Sequence, residues 1–391
     1  MAFIKTGRIC FFGTYERDYL RNRTLIEGLR RSGWEIYECH IPLWEKERNK
    51  TGKYLGPVSL IVRIFELKLA YLRLVLKYIF MTGKYDVMIV GYIGHLDMPL
   101  AWLLTRLPRR PLVFSPLISL YDTLVDDRGA FSDRTLMSWF LGWLDRWTCA
   151  RADIVLMDTN AHIDYFIDTF NLPHWRFTRV FVGAEKMKVM EVSDFQNTME
   201  SRAFHVVSIG KFTPLHGLEV MLGAAQILKG EPEIVFNFIG SGQLIDKIQE
   251  TAHEMALENV RFPGWIPYEF IPNYLDRADI CLGIFGNTGK AARVIPGKVY
   301  EALAMGKVVI TGDSPAIREL LVDGESAILC PRGNSESLAS EIHRLYKNRD
   351  ILTKISEGGR VVFDEQASVG RIGQSASVAL NKLLPSQIRT F

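Results

Sequence analysis

One rhythm runs through almost the whole chain and constrains its fold more than any single motif. A short run of apolar residues is followed by a turn carrying glycine, then a stretch with helical apolar spacing, then another apolar run. In the first half the strand-like runs are Arg8–Gly13, Trp34–His40, Tyr85–Val90, Leu112–Phe114, Ala152–Met157 and Arg179–Val182. Helical spacing covers Asn22–Ser32, Met137–Thr148 and a stretch beginning at Asn160. The rhythm lapses between about 186 and 202, where the chain turns polar, and then restarts. Strands are expected at Phe204–Ile209, Ile234–Ile239, Val260–Phe262, Ile280–Ile284, Val308–Ile310 and Ala327–Cys330. Helices are expected at Leu218–Leu228, from Gly297, near Pro315–Leu321 and at Ser335–Tyr346. Strands alternating with helices predict an α/β fold with parallel sheets. At 391 residues the chain has room for two such domains. We place them at 1–185 and 203–365, joined by a linker at 186–202 and followed by a tail at 366–391 that is expected to be helical and to return to the first domain.

Composition narrows the classes of function. With 48% apolar and 23% charged residues the chain can bury full cores. A net charge of +3 is too balanced for nucleic acid to be the main partner. The five cysteines (Cys10, Cys39, Cys149, Cys281, Cys330) form no C-x-x-C pair, which argues for a reducing compartment and against a zinc site. No metal is expected. The N-terminus lacks the pattern of a signal peptide, and no apolar run is long enough to span a bilayer.

Two readings stay open for Ser59–Met81, which is dense in Leu, Ile and Tyr but interrupted by Arg63, Glu66, Lys68, Arg73 and Lys77. It is either an ordinary helix packed on a sheet or a helix with a membrane-interface face, beside Trp102, Arg106, Arg109 and Arg110. Trp139, Trp143 and Trp147 recur every four positions, a helix stripe suited to a core or an interface. Gly13 alone is too little for a dinucleotide fingerprint. His95, Asp122, Asp126 and Asp127 fall in loops after strands, where open α/β sheets place ligands, and are candidates for a base or for holding an acceptor; the alternative is that they only form turns or packing.

Three loops of the second half combine glycine with cations or free amides: Gly210-Lys211 to His216-Gly217, Gly240-Ser241-Gly242, and Gly286 to Glu301. Each alone is weak. Together at one sheet edge they suit a diphosphate, which needs amides and cations for its oxygens and a carboxylate for ribose hydroxyls. In the last loop Lys290 and Arg293 precede Pro296, and a helix can start at Gly297–Lys298, offering its free N–H groups to an anion. Glu301 lies one turn after Lys298. There is no D-x-D, so side-chain cations would have to offset phosphate charge.

The pieces VVSIGKFTPLHGLEVMLGAA, FIGSGQL, NVRFPGWIP, ADICLGIF and PGKVYEALAMGKVVITGDSPAIREL resemble the donor domain of retaining, family-4-type glycosyltransferases, in a PLHG-containing sub-branch. The first half resembles that family's acceptor domain through topology and ADIVLMDTN. The resemblance implies GT-B architecture: two facing Rossmann-like domains with a cleft between them. It implies transfer of a sugar from a nucleotide-diphosphate-sugar to an acceptor hydroxyl with retention, without a required cofactor, in envelope or lipid-linked glycan synthesis. On this reading Lys211, His216 and Lys298 would assist the leaving group, with Asp122 and His95 on the acceptor side. Gly210, Gly240, Gly242, Lys290, Arg293 and Gly297 would line the donor site, main chain at Trp265 and Ile266 would read the base, and Glu301 would hold the ribose. Two positions depart from the family: His216 stands where a Lys is usual, making diphosphate binding pH-dependent, and Arg293 stands where a Glu is frequent. The acceptor would be a glycan or lipid-linked, reached past Tyr15, and the protein cytoplasmic, peripheral at the inner membrane face through its first half. A nucleotide-sugar epimerase and a non-catalytic nucleotide-sugar or glycan-binding subunit are the alternatives.

Overall fold

The computed structural model describes residues 6–43, 45, 57–81, 85–190, 199 and 203–384, the side chains of 57–61 excepted. Two compact units emerge: Met1–Gly183 with Val369–Phe391, and Ala184–Ser368. Of the expected linker, residues 191–198 and 200–202 lie outside the described residues.

Unit 1 runs β1 (Arg8–Gly13), α1 (Leu20–Arg31), β2 (Glu35–His40), α2 (Pro57–Met81), β3 (Val87–Val90), α3 (Met98–Arg106), β4 (Leu112–Phe114), α4 (Leu136–Arg151), β5 (Ile154–Met157), α5 (Asn160–Phe170) and β6 (Phe177–Arg179). Its strands form one parallel sheet in the order β2-β1-β3-β4-β5-β6. The central strands β3, β4 and β5 are wholly buried, which is why they read as unbroken apolar runs rather than alternating ones.

Unit 2 runs β7 (Phe204–Lys211), α6 (Leu218–Ile227), β8 (Ile234–Ser241), α7 (Ile245–Glu254), β9 (Val260–Gly264), α8 (Ile271–Arg277), β10 (Ile280–Leu282), α9 (Gly289–Arg293), α10 (Gly297–Ala304), β11 (Val308–Gly312), β12 (Ile328–Cys330), α11 (Ser335–Lys347) and α12 (Arg349–Val362). Its sheet is also parallel, ordered β12-β11-β10-β7-β8-β9. Phe204, Phe236 and Phe238 of the sheet and Leu222, Leu338 and Ile342 of the helices share one core cluster.

The last helix, α13 (Val369–Asn381), belongs to unit 1 and crosses α1 at glycines. A Cβ on Gly28 would lie 2.5 Å from the Val369 carbonyl oxygen, and one on Gly373 would lie 1.8 Å from that of Gly28. The Trp34 indole N–H donates to Ser377 Oγ at 2.8 Å beside this crossing.

Several elements differ from the sequence reading. The strand expected at Arg179–Val182 ends at Arg179, because the next carbonyls turn to α1 instead. Val180 and Phe181 accept from the buried Arg21 guanidinium at 2.6 and 2.9 Å, and Val182 accepts from Thr24 Oγ1 at 2.7 Å. The glycine-rich 240–242 stretch does not open a helix directly: β8 continues to Ser241, and α7 starts at Ile245. Near Pro315–Leu321 only a 3-10 turn forms, at Ile317–Glu319. Of the Trp stripe, Trp147 packs on the core while Trp139 and Trp143 are 69% and 43% exposed.

Candidate functional site

In unit 2 the strand order reverses direction between β7 and β10, and the crevice outside their carboxyl ends is where such sheets bind ligands. The loops that leave these two strands are stapled together. Phe285 N–H donates to the His216 carbonyl at 3.0 Å and Gly286 N–H to that of Leu215 at 3.2 Å. Gly217 turns at φ +64°, and a Cβ there would lie 2.5 Å from Gly286 N, so only glycine permits the approach.

Within this crevice His216 closes a turn in which Thr213 Oγ1 lies 3.0 Å from its Nδ1. The Thr213 backbone N–H also points at Nδ1, 3.4 Å away. A backbone N–H can only donate, so Nδ1 accepts and Nε2 carries the hydrogen. Burial first, then the charge of Lys298, pushes the His216 pKa well below its ordinary value. The ring is therefore held neutral, with Nε2–H as a donor. Lys298 stands beside it, at the first turn of α10. Burial draws this amine down to about 7, opposed by Cys281 and Glu301, and its Nζ donates to Ser208 Oγ at 3.3 Å.

Gly210, at φ +144°, faces both groups: a Cβ would lie 3.4 Å from His216 Nε2 and 3.7 Å from Lys298 Cε. His216, Lys298 and Gly210 thus meet. Gly240 and Gly242 have packing reasons for being glycine. Their Cβ atoms would lie 1.9 Å from the Gly210 carbonyl oxygen and 2.5 Å from Phe212 N. Lys211 is the exposed last residue of β7. α10 begins at Gly297 with no side-chain cap, leaving its first amides to other acceptors.

Lys290 and Arg293 sit on the short α9, capped by Thr288 Oγ1 accepting from Ala291 N–H at 3.2 Å. Lys290 is buried, and the Arg293 guanidinium lies over Gly289. Trp265 and Ile266 follow β9, with Trp265 exposed. Glu301 accepts from the Tyr268 hydroxyl at 2.8 Å. Tyr268 is a residue the sequence reading missed, as is Arg332, which donates to the Gly286 and Thr288 carbonyls at 3.3 and 3.1 Å and braces the loop. Both act across long sequence separations that leave no local pattern.

In unit 1 the candidates His95, Asp122 and Asp127 lie below the surface, while Asp126 is exposed. His95 is 1% exposed, with Nε2 3.3 Å from Asp145 Oδ1. Asp145, unforeseen on α4, also accepts from Ser119 Oγ at 2.6 Å and from the Leu120 and Tyr121 N–H groups at 3.1 and 2.9 Å. Asp122 is buried in a π-helical turn at Asp122–Asp127, its N–H donating to Ser119 Oγ at 3.0 Å. Tyr15 is buried too, its hydroxyl donating to Glu38 at 2.9 Å. The Asp97 carboxylate, pushed up to about 6 by burial, takes the Thr14 N–H at 2.7 Å and ties the β1 loop to the β3 loop. Among the described residues no group of three or more His, Cys, Asp or Glu side chains could hold a metal ion.

Known proteins match the fold and, over unit 2, the sequence. Solved structures superpose over nearly the whole chain. Anabaena Alr3699/HepE, solved in complex with UDP-glucose, gives a TM-score of 0.69 at 16% identity, over 96% of this chain and 100% of that one. Sucrose-phosphate synthase (tll1590) from Thermosynechococcus elongatus gives 0.72 at 14%, over 97% and 99%. The fold is GT-B. Residues 203–348 match the family model for glycosyl transferases group 1, so unit 2 carries a domain of that type. The amylovoran biosynthesis glycosyltransferase AmsK of Erwinia amylovora is 32% identical over 184 residues, 44% of this chain and 45% of AmsK. The chain spans 40–45% of the length of this and similar curated relatives.

Proposed function

We propose that the protein is a glycosyltransferase that moves a hexose from a nucleotide-diphosphate-sugar to an acceptor hydroxyl with retention, needing no metal. The observation that carries this reading is the meeting of Gly210, His216 and Lys298 at the strand-order reversal of unit 2, inside the stretch that matches the group 1 domain. A diphosphate there gains an ammonium, a neutral imidazole N–H and the free amides of α10. These groups stabilise the charge that grows on the diphosphate as its bond to the anomeric carbon breaks. Lys211, Lys290 and Arg293 add positive charge around it, and Gly240 and Gly242 let the β8 loop pack closely enough to shape its wall. Glu301, oriented by Tyr268, holds the ribose, and the backbone at Trp265 and Ile266 reads the base. Uridine diphosphate is the first nucleotide to test, since HepE was solved with UDP-glucose.

Unit 1 takes the acceptor. Because Tyr15, His95 and Asp122 are buried, they shape the acceptor loops from beneath. The names of AmsK and of the putative colanic acid biosynthesis glycosyltransferase WcaL support an envelope or lipid-linked glycan as acceptor. Such an acceptor places the protein on the cytoplasmic side, peripheral at the membrane. Among the described residues no helix is long and apolar enough to cross one.

A thermal-shift screen against nucleoside diphosphates and their sugars tests the donor site, because a ligand at 100 times its Kd stabilises by about 2.7 kcal/mol. No shift with any of them removes the reading. Turnover without acceptor indicates an epimerase, tight binding without turnover a binding subunit, and the anomeric configuration of the product decides retention.

A further inference from the structure

A second basic site lies in unit 1, at the amino ends of β4 and β5. A pocket of about 460 Å³ is lined there by Trp102, Arg106, Arg109, Arg110, Arg151 and Lys382, among others. Its five cations face one acid, Asp153, whose carboxylate already takes the Leu112 N–H at 2.8 Å. Arg110 lies 3.9 Å from Asp86; Arg106, Arg109, Arg151 and Lys382 have no ion pair among the described residues. Arg106 and Arg151 hold their guanidinium carbons 4.8 and 5.1 Å from the Trp102 ring centre. The Trp102 indole nitrogen is itself buried without a hydrogen-bond acceptor among the described residues. Like charges gathered this closely repel one another unless an anion sits among them.

The surface beside the pocket is apolar. From Trp102 an aromatic ladder runs outward: Trp147 at 6.0 Å, Trp143 a further 6.2 Å on, then Phe140 at 6.0 Å. It ends at Trp139 and Leu136, 69% and 89% exposed. Leu103 on α3 and Leu107 just after it are exposed, and α2, tied to α3 through the Tyr78 hydroxyl and the Leu104 carbonyl, exposes Phe65, Leu72, Leu76, Ile79 and Phe80. Arg63, Lys68, Arg73 and Lys77 are interleaved with these residues on α2. A positive pocket bordered by exposed aromatics and an amphipathic helix suits one surface above others, the headgroup layer of an anionic bilayer.

We propose that this pocket binds the phosphate of an anionic phospholipid headgroup while the aromatic ladder and the outer face of α2 enter the interfacial layer. The inference rests on the membrane reading above and is independent of the donor site. The test sediments the full chain with phosphatidylcholine vesicles that contain or lack phosphatidylglycerol. The expected result is binding to the anionic vesicles, weakened by salt. A nearby cation is worth about fivefold in affinity, so Arg106→Ala with Arg151→Ala should lose about 25-fold. Uridine diphosphate should still shift the variant's melting temperature as it does the wild type's. If the double variant misfolds, Lys382→Ala at the exposed end of α13 should lose about fivefold. Equal binding to both vesicle types, or unchanged binding by the variants, overturns the headgroup site while leaving membrane association intact. Wild type that binds neither vesicle overturns both. If glycerol phosphate raises the melting temperature while vesicles do not bind, the pocket belongs to a free phosphate compound and the lipid assignment falls.

Discussion

Burial brings the Lys298 amine down to about 7, so near neutrality roughly half the free protein carries the charge a diphosphate needs. A bound diphosphate favours the ammonium and raises that pKa again. Donor binding should therefore take up a proton, and Kd should rise by up to about tenfold per pH unit above 7. Calorimetry in buffers of different ionisation enthalpy measures the uptake, and Lys298→Met should abolish it. The same shift acts on the unliganded fold with a definite sign. The unfolded chain holds this proton up to its ordinary, higher pKa, so the Lys298 contribution to stability rises with pH from about 7 toward that value. Glu301 offers a second test. Removing a charged hydrogen-bond partner costs about 1.5–3 kcal/mol, so Glu301→Ala should weaken donor binding about 10- to 100-fold. Tyr268→Phe, which loses only the 2.8 Å bond that orients Glu301, should cost about fivefold. Unchanged Kd values for both variants in calorimetry would remove the ribose assignment. Lys298 and Glu301 could be read from the sequence because a helix start after a Gly-Pro-rich loop is a local signal. Tyr268 could not, since it stands 33 positions from the carboxylate it holds. The depressed amine could not either, since it comes from burial, a tertiary effect: the Lys298 amine packs beside Ser208 of β7, 90 positions away.

Strands and helices were legible where their apolar spacing is regular, and less so where tertiary contacts decide. The buried runs at β3, β4, β5, β7 and β11 announce themselves, as does the amphipathic α1 through Leu25, Ile26 and Leu29. Nothing local explains why α1 carries a glycine in its interior, where it costs about 1 kcal/mol in helix propensity. The explanation is α13, whose backbone passes so close at Gly373 that neither helix tolerates a Cβ. Gly28→Ala should accordingly destabilise unit 1 by at least the 1–3 kcal/mol typical of overpacking, despite alanine's better propensity. A lowered denaturation midpoint in urea checks this; a raised one would mean that propensity wins and the helices can part. The loss of a strand at 180–182 has a similar long-range cause, since the Arg21 guanidinium collects carbonyls that a ladder would otherwise use.

At the scale of the whole chain, the order of elements along the sequence and their grouping in space disagree at one place: the final helix belongs with the first unit. The rhythm of the sequence marks two α/β halves, and the 366–391 tail, which carries no strand to continue the count, is the segment expected to be helical and to return to the first. The grouping makes a prediction about fragments. Residues 184–368 contain all of β7–β12 and a core running from Phe204 to Ile355, with Gly359 of α12 packed on Leu303 and Ser326. That fragment should fold alone, melt cooperatively and bind a nucleoside diphosphate with the Kd of the full chain, while transferring no sugar. A fragment ending at 348 stops where the group 1 match stops but lacks α12, and it should lose the packing on Leu303 and melt lower. Residues 1–183 lack the helix that covers Gly28 and Trp34 and should not fold stably until 369–391 is restored, by fusion after residue 183 through a flexible linker. Circular dichroism melts of the three fragments and the fusion decide the matter. A stable, cooperative 1–183 would show that α13 is an accessory to unit 1 rather than part of its core.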